Sequence, residues 1–334
     1  MRAPRAVALL GLLAATACSS GGSTTAGPAA SSAPAPAGSS AGAPAPGTGA
    51  PAASGLPGTP APGTPGAPPA PGELPRGGRT ILPGHVVVAH YGTAGTGVLG
   101  VLGRGTPDQA TARLAKAAAP FEAASGKPVL PALELITTVA QAAPGKSGDY
   151  STFLEDAEVA RYLDAARRAK MLVVLDIQPG RADFLEQVKR YERFLLEPEV
   201  GVALDPEWKL TPSQKPGRQI GKTNAASVNA VSDYLARLVA DHGLPQKLFV
   251  VHQFKTFMIA NREKLATHPE LATVVHVDGF GTQKEKRQTY DALKLPAGSP
   301  IYNGFKLFYK VDTGLMTPKQ TMALKPMPDL VSYQ

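Results

Sequence analysis

The stretch MLVVLDIQPGRADFLEQVKRYERFLLEPEVGVALDPEW, residues 171–208, decides the fold. Residues 171–177 (MLVVLDI) are almost continuously aliphatic, which fits a strand covered on both faces. After Pro179 and Gly180 the period changes. Phe184, Leu185, Val188, Tyr191 and Leu195 recur at helical spacing and predict a helix over residues 181–196. A second apolar run, residues 201–204 (GVAL), follows and ends at LDPEW. Strand, helix and strand in this order make a parallel pair joined by a crossover.

The same alternation extends in both directions. Before it lie the runs 85–90 (HVVVAH) and 129–135 (VLPALEL); after it come 248–252 (LFVVH), 273–277 (TVVHV), 304–309 (GFKLFY) and 330–333 (LVSY). Helical patterns are predicted over residues 107–124, 151–169, 224–242, 254–266, 283–293 and 317–324. Pro107 suits a first helical turn, and Gly243 followed by Pro245 marks a clean stop. Eight strand candidates separated by helices close naturally into a (β/α)₈ TIM barrel. The eighth run stands at the C-terminus, so the last outer helix is missing, and residues 75–83 are expected to cover that side. An open doubly wound sheet is the alternative. It calls for a phosphate-binding fingerprint after the first strand, and HYGTAGTGVLG carries neither GxGxxG in register nor GxxxxGK[ST].

The N-terminus reads differently. MRAPRAVALLGLLAATAC has Arg2 and Arg5 ahead of a short apolar stretch, then small residues directly before Cys18. That is an export signal over residues 1–17, too short to span a bilayer. The segment before the cysteine resembles the lipobox of bacterial lipoproteins, which implies a diacylglycerol on Cys18 and anchoring at the extracellular face of the cell membrane. Cys18 is the only cysteine, so no disulfide can form within the chain. Residues 18–77 are almost wholly Ala, Gly, Pro, Ser and Thr and hold 14 of the 33 prolines. With almost no large apolar side chain to bury, this segment reads as a disordered tether. Residues 78–334 then form one barrel domain. Its basic excess is mild and scattered, as in Lys284, Lys286 and Arg287, which reads as a solvated face and not a nucleic-acid footprint.

In a TIM barrel the C-terminal ends of the strands build the site. In chain order those ends carry His90 and Tyr91, Glu134, Asp176 and Gln178, Asp205 with Glu207 and Trp208, His252 and Gln253, His276 and Asp278, Lys306 and Tyr309, and finally Tyr333 and Gln334. Five acids from different strands are expected at one mouth. Crowding pushes some of their pKa values up and leaves others low, which is what acid/base cleavage of a glycosidic bond needs. Glu207 or Asp205 is the expected proton donor, with Asp278 or Asp176 as its partner. Trp208, the only tryptophan, offers a plate for a sugar ring. His90, Tyr91, Glu134, Gln178, His252, Gln253, Lys306 and Tyr309 are the expected substrate contacts. No cofactor is expected.

At LDIQPGR, ALDPEW, VVHQF, HVDGFG, GFKLFY and VSYQ the domain resembles a family of secreted proteins and lipoproteins of high-GC Gram-positive bacteria. That resemblance implies export and a barrel-like fold, but no reaction. The layout more distantly resembles barrel glycoside hydrolases, which carry a glutamate after the fourth strand and another at the end of the seventh. Glu207 matches the first; Lys306 and Tyr309 stand where the second would be. Three functions stay open on the residues: a hydrolase of an extracellular carbohydrate or envelope glycan, a binding protein that grips such a ligand without cleaving it, and a metal-dependent hydrolase using His90, Asp176, His252 and Asp278. A Schiff-base lyase on Lys306 is a further, more remote alternative.

Overall fold

The computed structural model describes residues 72–334. The export signal, Cys18 and most of the tether lie outside the described residues. Eight parallel strands form the barrel: β1 (Val86–Gly92), β2 (Val129–Ala140), β3 (Leu172–Ile177), β4 (Val200–Leu204), β5 (Lys247–Gln253), β6 (Leu271–Val277), β7 (Tyr302–Leu307) and β8 (Leu330–Tyr333). Each pairs with its sequence neighbour, and β1 pairs with β8 as well as β2, which closes the sheet. The TIM barrel read from the sequence is therefore the fold.

Helices α1 (Pro107–Ser125), α2 (Asp156–Ala169), α3 (Phe184–Arg190), α4 (Glu192–Leu195), α5 (Ala225–Asp241), α6 (Gln283–Leu293) and α7 (Pro318–Met322) belong to the outer layer. Their starts are written in the sequence. Thr106, Thr282 and Thr317 each close a capping box with the Gln or Glu three residues on, satisfying orphan N–H groups of the first turn. Among the described residues no helix follows β8. Helix α1 instead packs against α7 as well as α2, closing the ring.

Strand alternation divides the barrel into two environments. Outward residues such as Val86, Val88, Leu133, Val173, Val202, Phe249 and Val331 join the helices in one core. Inward residues, among them Val87, Ala89, Leu130, Ala132, Leu172, Val174, Leu248 and Val250, form a second core in the lower lumen. Leu74, Ile81 and Leu82 belong to this inner core. Residues 72–83 thus plug the N-terminal end of the barrel, not the flank left by the missing helix. The plug also moves the domain boundary. Leu74 is buried, and Arg76 donates to the carbonyl of Val129, so the domain reaches back to Gly72 and not only to residue 78.

Three helix assignments differ from expectation. Residues 151–169 begin with a short strand, Ser151–Phe153, antiparallel to the end of β2, and the helix starts at Asp156. The helix over residues 181–196 breaks at Tyr191, whose hydroxyl donates to the carbonyl of Thr137 at 2.6 Å. Residues 254–266 form two 3-10 turns around a strand pair, Ile259–Ala260 with Thr223–Asn224. Asn261 has φ 54°, a left-handed conformation that a helix interior does not accept. Lys286 also departs from the solvated face expected of it. It is buried, pairs with Asp312 at 3.0 Å, and donates to the carbonyls of Gly279 and Lys306.

Candidate functional site

Above the apolar lower lumen the inward positions turn polar. Tyr91, Glu134, Asp176, His252, His276, Lys306 and Ser332 are all buried, and a chain of hydrogen bonds and ring contacts links them. The cause is strand parity. Residues two apart share a face, so Val250 and His252 point the same way, as do Val274 and His276. Small neighbours leave the room: a Cβ on Gly304 would stand 2.3 Å from His276 Nδ1.

His252 is the hub. Its Nδ1 lies 2.9 Å from Asp278 Oδ2, and its Nε2 lies 2.9 Å from Glu134 Oε1. Asp176 Oδ1 stands 3.9 Å from the same Nε2. Lys306 Nζ reaches Asp278 Oδ2 at 3.1 Å and sits over the Tyr91 ring, 3.7 Å from its centroid. The Tyr91 hydroxyl donates to Asp176 Oδ2 at 3.0 Å and accepts from Gln178 Nε2 at 3.1 Å. His276 Nε2 meets the Ser332 hydroxyl at 2.7 Å.

Charge distributes unevenly over this network. Burial would lower His252, but Glu134 and the hydrogen bond to Asp278 overcome it and hold the imidazole well above its ordinary value. Burial likewise opposes the charge on Lys306, yet Asp278, Glu134 and Asp205 raise it. Asp278 sits between the two cations. Burial would raise it, but Lys306 and then His252 hold its carboxyl below the usual carboxylate range. Asp176 is pushed the other way, well above that range, chiefly by burial. Burial lowers His276 well below an ordinary histidine, with His252 adding to the effect.

The mouth carboxylates lie on β4 and its turn. Asp205 caps the 3-10 turn Pro206–Trp208 by accepting from the backbone N–H of Glu207 at 3.1 Å. Burial raises Asp205 to about 6 despite the opposing pull of His252. Glu207 is raised to about 8, first by burial and then by the negative charges of Asp205 and Asp278. Trp208 is half-buried beside it. Glu207 is therefore protonated at neutral pH, while Asp278 is ionised and keeps Oδ1 clear of the two bonds made through Oδ2.

Not every expected contact joins this set. His90 lies on the opposite face of β1 from Tyr91, edge-on to Tyr309 and Tyr333 outside the lumen. Burial, and then Arg113, lower it to about 4, so it is neutral there. Gln253 likewise faces away from His252, and its amide donates to the carbonyl of Lys255 at 3.1 Å. Tyr309 stacks on Tyr333 at 5.0 Å and is partly exposed on the β7–α7 loop. A metal centre of His90, Asp176, His252 and Asp278 does not assemble. His90 is on the wrong face, and both His252 nitrogens are engaged by carboxyl groups. Among the described residues no group of three or more His, Cys, Asp or Glu is arranged to hold an ion. The position of Ser332 in the network was not singled out in the sequence, although strand parity places it on the lumen face.

No protein-family model matches the chain, and no curated protein matches it either.

Proposed function

We propose that the barrel is a hydrolase of glycosidic bonds, acting outside the cell on a carbohydrate or envelope glycan, with Glu207 as proton donor and Asp278 as its ionised partner. The observation that carries this reading is the opposite tuning of these two groups. One carboxyl at the mouth is held protonated to about pH 8, while the other is held ionised by Lys306 and His252. Two carboxyls driven apart in this way supply an acid and a base at one pH. In the proposed step Glu207 gives its proton to the leaving oxygen as the C–O bond breaks. Asp278 either attacks the anomeric carbon through Oδ1 or takes a proton from the attacking water. Asp205 is a positioning residue, since it fixes the turn that carries Glu207.

Export and attachment through diacylglycerol on Cys18 belong to the same proposal, supported by the charged, apolar and small-residue order of residues 1–18. The experiment is a panel of exported and wall-derived glycans tested with the parent, Glu207→Gln and Asp278→Asn. Loss of a positioned acid or base lowers turnover by about 10²–10⁴-fold. The first product's anomeric configuration, read by NMR, distinguishes attack by Asp278 from attack by water. Full turnover in both variants would rule the assignment out.

A binding role without cleavage is the second reading. It is favoured by how completely Glu134, Asp176 and His252 are enclosed and engaged with one another. A glycan that binds at the mouth and is never turned over would select it.

A further inference from the structure

The apolar side chains that the barrel leaves in water are not scattered. Every large hydrophobic residue exposed among the described residues lies on a connection leaving the C-terminal end of a barrel strand. Val98 and Leu99 are on the β1–α1 loop, Val98 being 68% exposed. Phe153 follows β2, Phe257 follows β5 and is 54% exposed, and Phe280 follows β6 and is 51% exposed. Tyr309 and Val311 follow β7. Exposed cations stand on the same connections, Arg104 after β1, Lys146 after β2, Lys255 after β5 and Lys310 after β7, and Lys215, Arg218 and Lys222 stand on the connection after β4. The exposed acids of the connections after the strands are three: Glu155 and Asp183, both helix N-caps, and Glu263, which stands beside the exposed Lys264. The opposite end of the barrel is closed by Leu74, Ile81 and Leu82 and shows no such side chains.

From this arrangement we infer that the mouth face docks onto an anionic lipid surface, its apolar loop tips entering the headgroup boundary and its cations meeting the lipid charge. Three features select lipid over other occupants. Aliphatic tips such as Val98, Leu99 and Val311 offer nothing for a sugar ring to stack on but transfer readily into acyl chains. Each apolar tip on β1, β5 and β7 has a cation within a few residues, the pairing that anionic membranes attract. The chain between Cys18 and Gly72 is also long enough to reach around the barrel, at up to about 3.3–3.6 Å per residue. The inference is independent of the glycosidase reading. If both hold, the substrate is a glycan presented at the membrane surface.

The test uses the full chain carrying Cys18→Ser, so that no lipid can be attached, and a second chain with Val98→Ser, Leu99→Ser, Phe257→Ser and Phe280→Ser added. Residues 1–71 are the same in both, so any difference belongs to the rim. Co-sedimentation is measured with vesicles of phosphatidylglycerol and of phosphatidylcholine. The first chain is expected to bind the anionic vesicles, more weakly at high salt, and the rim variant to bind at least about tenfold more weakly with an unchanged melting curve. Equal vesicle binding by the two chains overturns the inference, as does absence of binding to either vesicle. Rim-dependent binding to a soluble anionic polysaccharide without vesicle binding overturns it too, as does rim-dependent self-association. Turnover of a soluble glycan is unaffected by these substitutions, so its presence or absence judges the glycosidase reading separately.

Discussion

Lys247 opens β5 at the floor of the barrel, 1% exposed, and its amine donates to the carbonyls of Glu197 and Val200, both at 2.9 Å. A neutral amine has two N–H bonds, enough for both acceptors, so these contacts do not require the charge. Burial lowers its pKa from 10.5 to about 7, against the opposing pull of Glu199 and Glu197. The sign of the linkage follows. Between about pH 7 and 10.5 the unfolded chain holds a proton on Lys247 that the folded chain does not, so stability rises with pH across that window. The slope for one proton is about 1.4 kcal/mol per pH unit. From pH 7.5 to 9.5 this group alone contributes roughly 3 kcal/mol. Other groups titrate too, including tyrosines raised by burial, so the measurement is a difference between the parent and Lys247→Met. Urea denaturation at half-unit pH steps gives both stabilities. The parent should gain about 3 kcal/mol on the variant over that range. A difference that stays flat would mean that Lys247 is charged in the fold, and the reasoning from burial would be wrong.

Four further outcomes are expected. On any glycan that the protein cleaves, turnover should fall as pH rises through about 8, where Glu207 loses its proton, and Glu207→Gln should abolish that limb together with most of the rate, as a pH–rate profile will read. Lys306→Met removes one of the two cations that keep Asp278 ionised, so the acid limb of the same profile should move to higher pH; with His252 still paired to the carboxylate, stability should fall by less than the cost of about 3–5 kcal/mol for a fully unpaired buried charge, read by urea denaturation at neutral pH. Gly304→Ala sets a methyl against the His276 imidazole and should lower stability by about 1–3 kcal/mol through overpacking, measured in the same way. If Cys18 is acylated, Cys18→Ser should abolish incorporation of radiolabelled palmitate, read by autoradiography of the purified chain.

The barrel was legible because its signal is coarse and repeated. Each of the eight apolar runs lies on a barrel strand, and no other arrangement uses eight parallel strands joined by helices so directly. The finer errors have physical causes. His90 and Gln253 stand at strand ends beside residues that do face the lumen, and a reading by position along the strand does not separate them. Alternation does: Ala89 and Tyr91 share one face and His90 has the other. Residues 254–266 carry Phe254, Met258 and Ile259 near helical spacing, but the left-handed Asn261 is a backbone property that composition does not announce. The charge of the network was legible only in part. The acids could be counted, but which of them meets Lys306 or His252 depends on register across the lumen.

The closure of the sheet also bears on the order in which the molecule can be made. Strand β1 pairs with β2, its sequence neighbour, and with β8, at the far end of the domain, through Val87 and Leu330. During synthesis β1 emerges early and keeps one open, apolar edge until the final strand arrives. The contact that completes the barrel is thus among the most distant in sequence, and such contacts form slowly because the loop they close is long. Placing the closing strand last makes premature completion of the barrel impossible, and deferred folding is built into the connectivity itself.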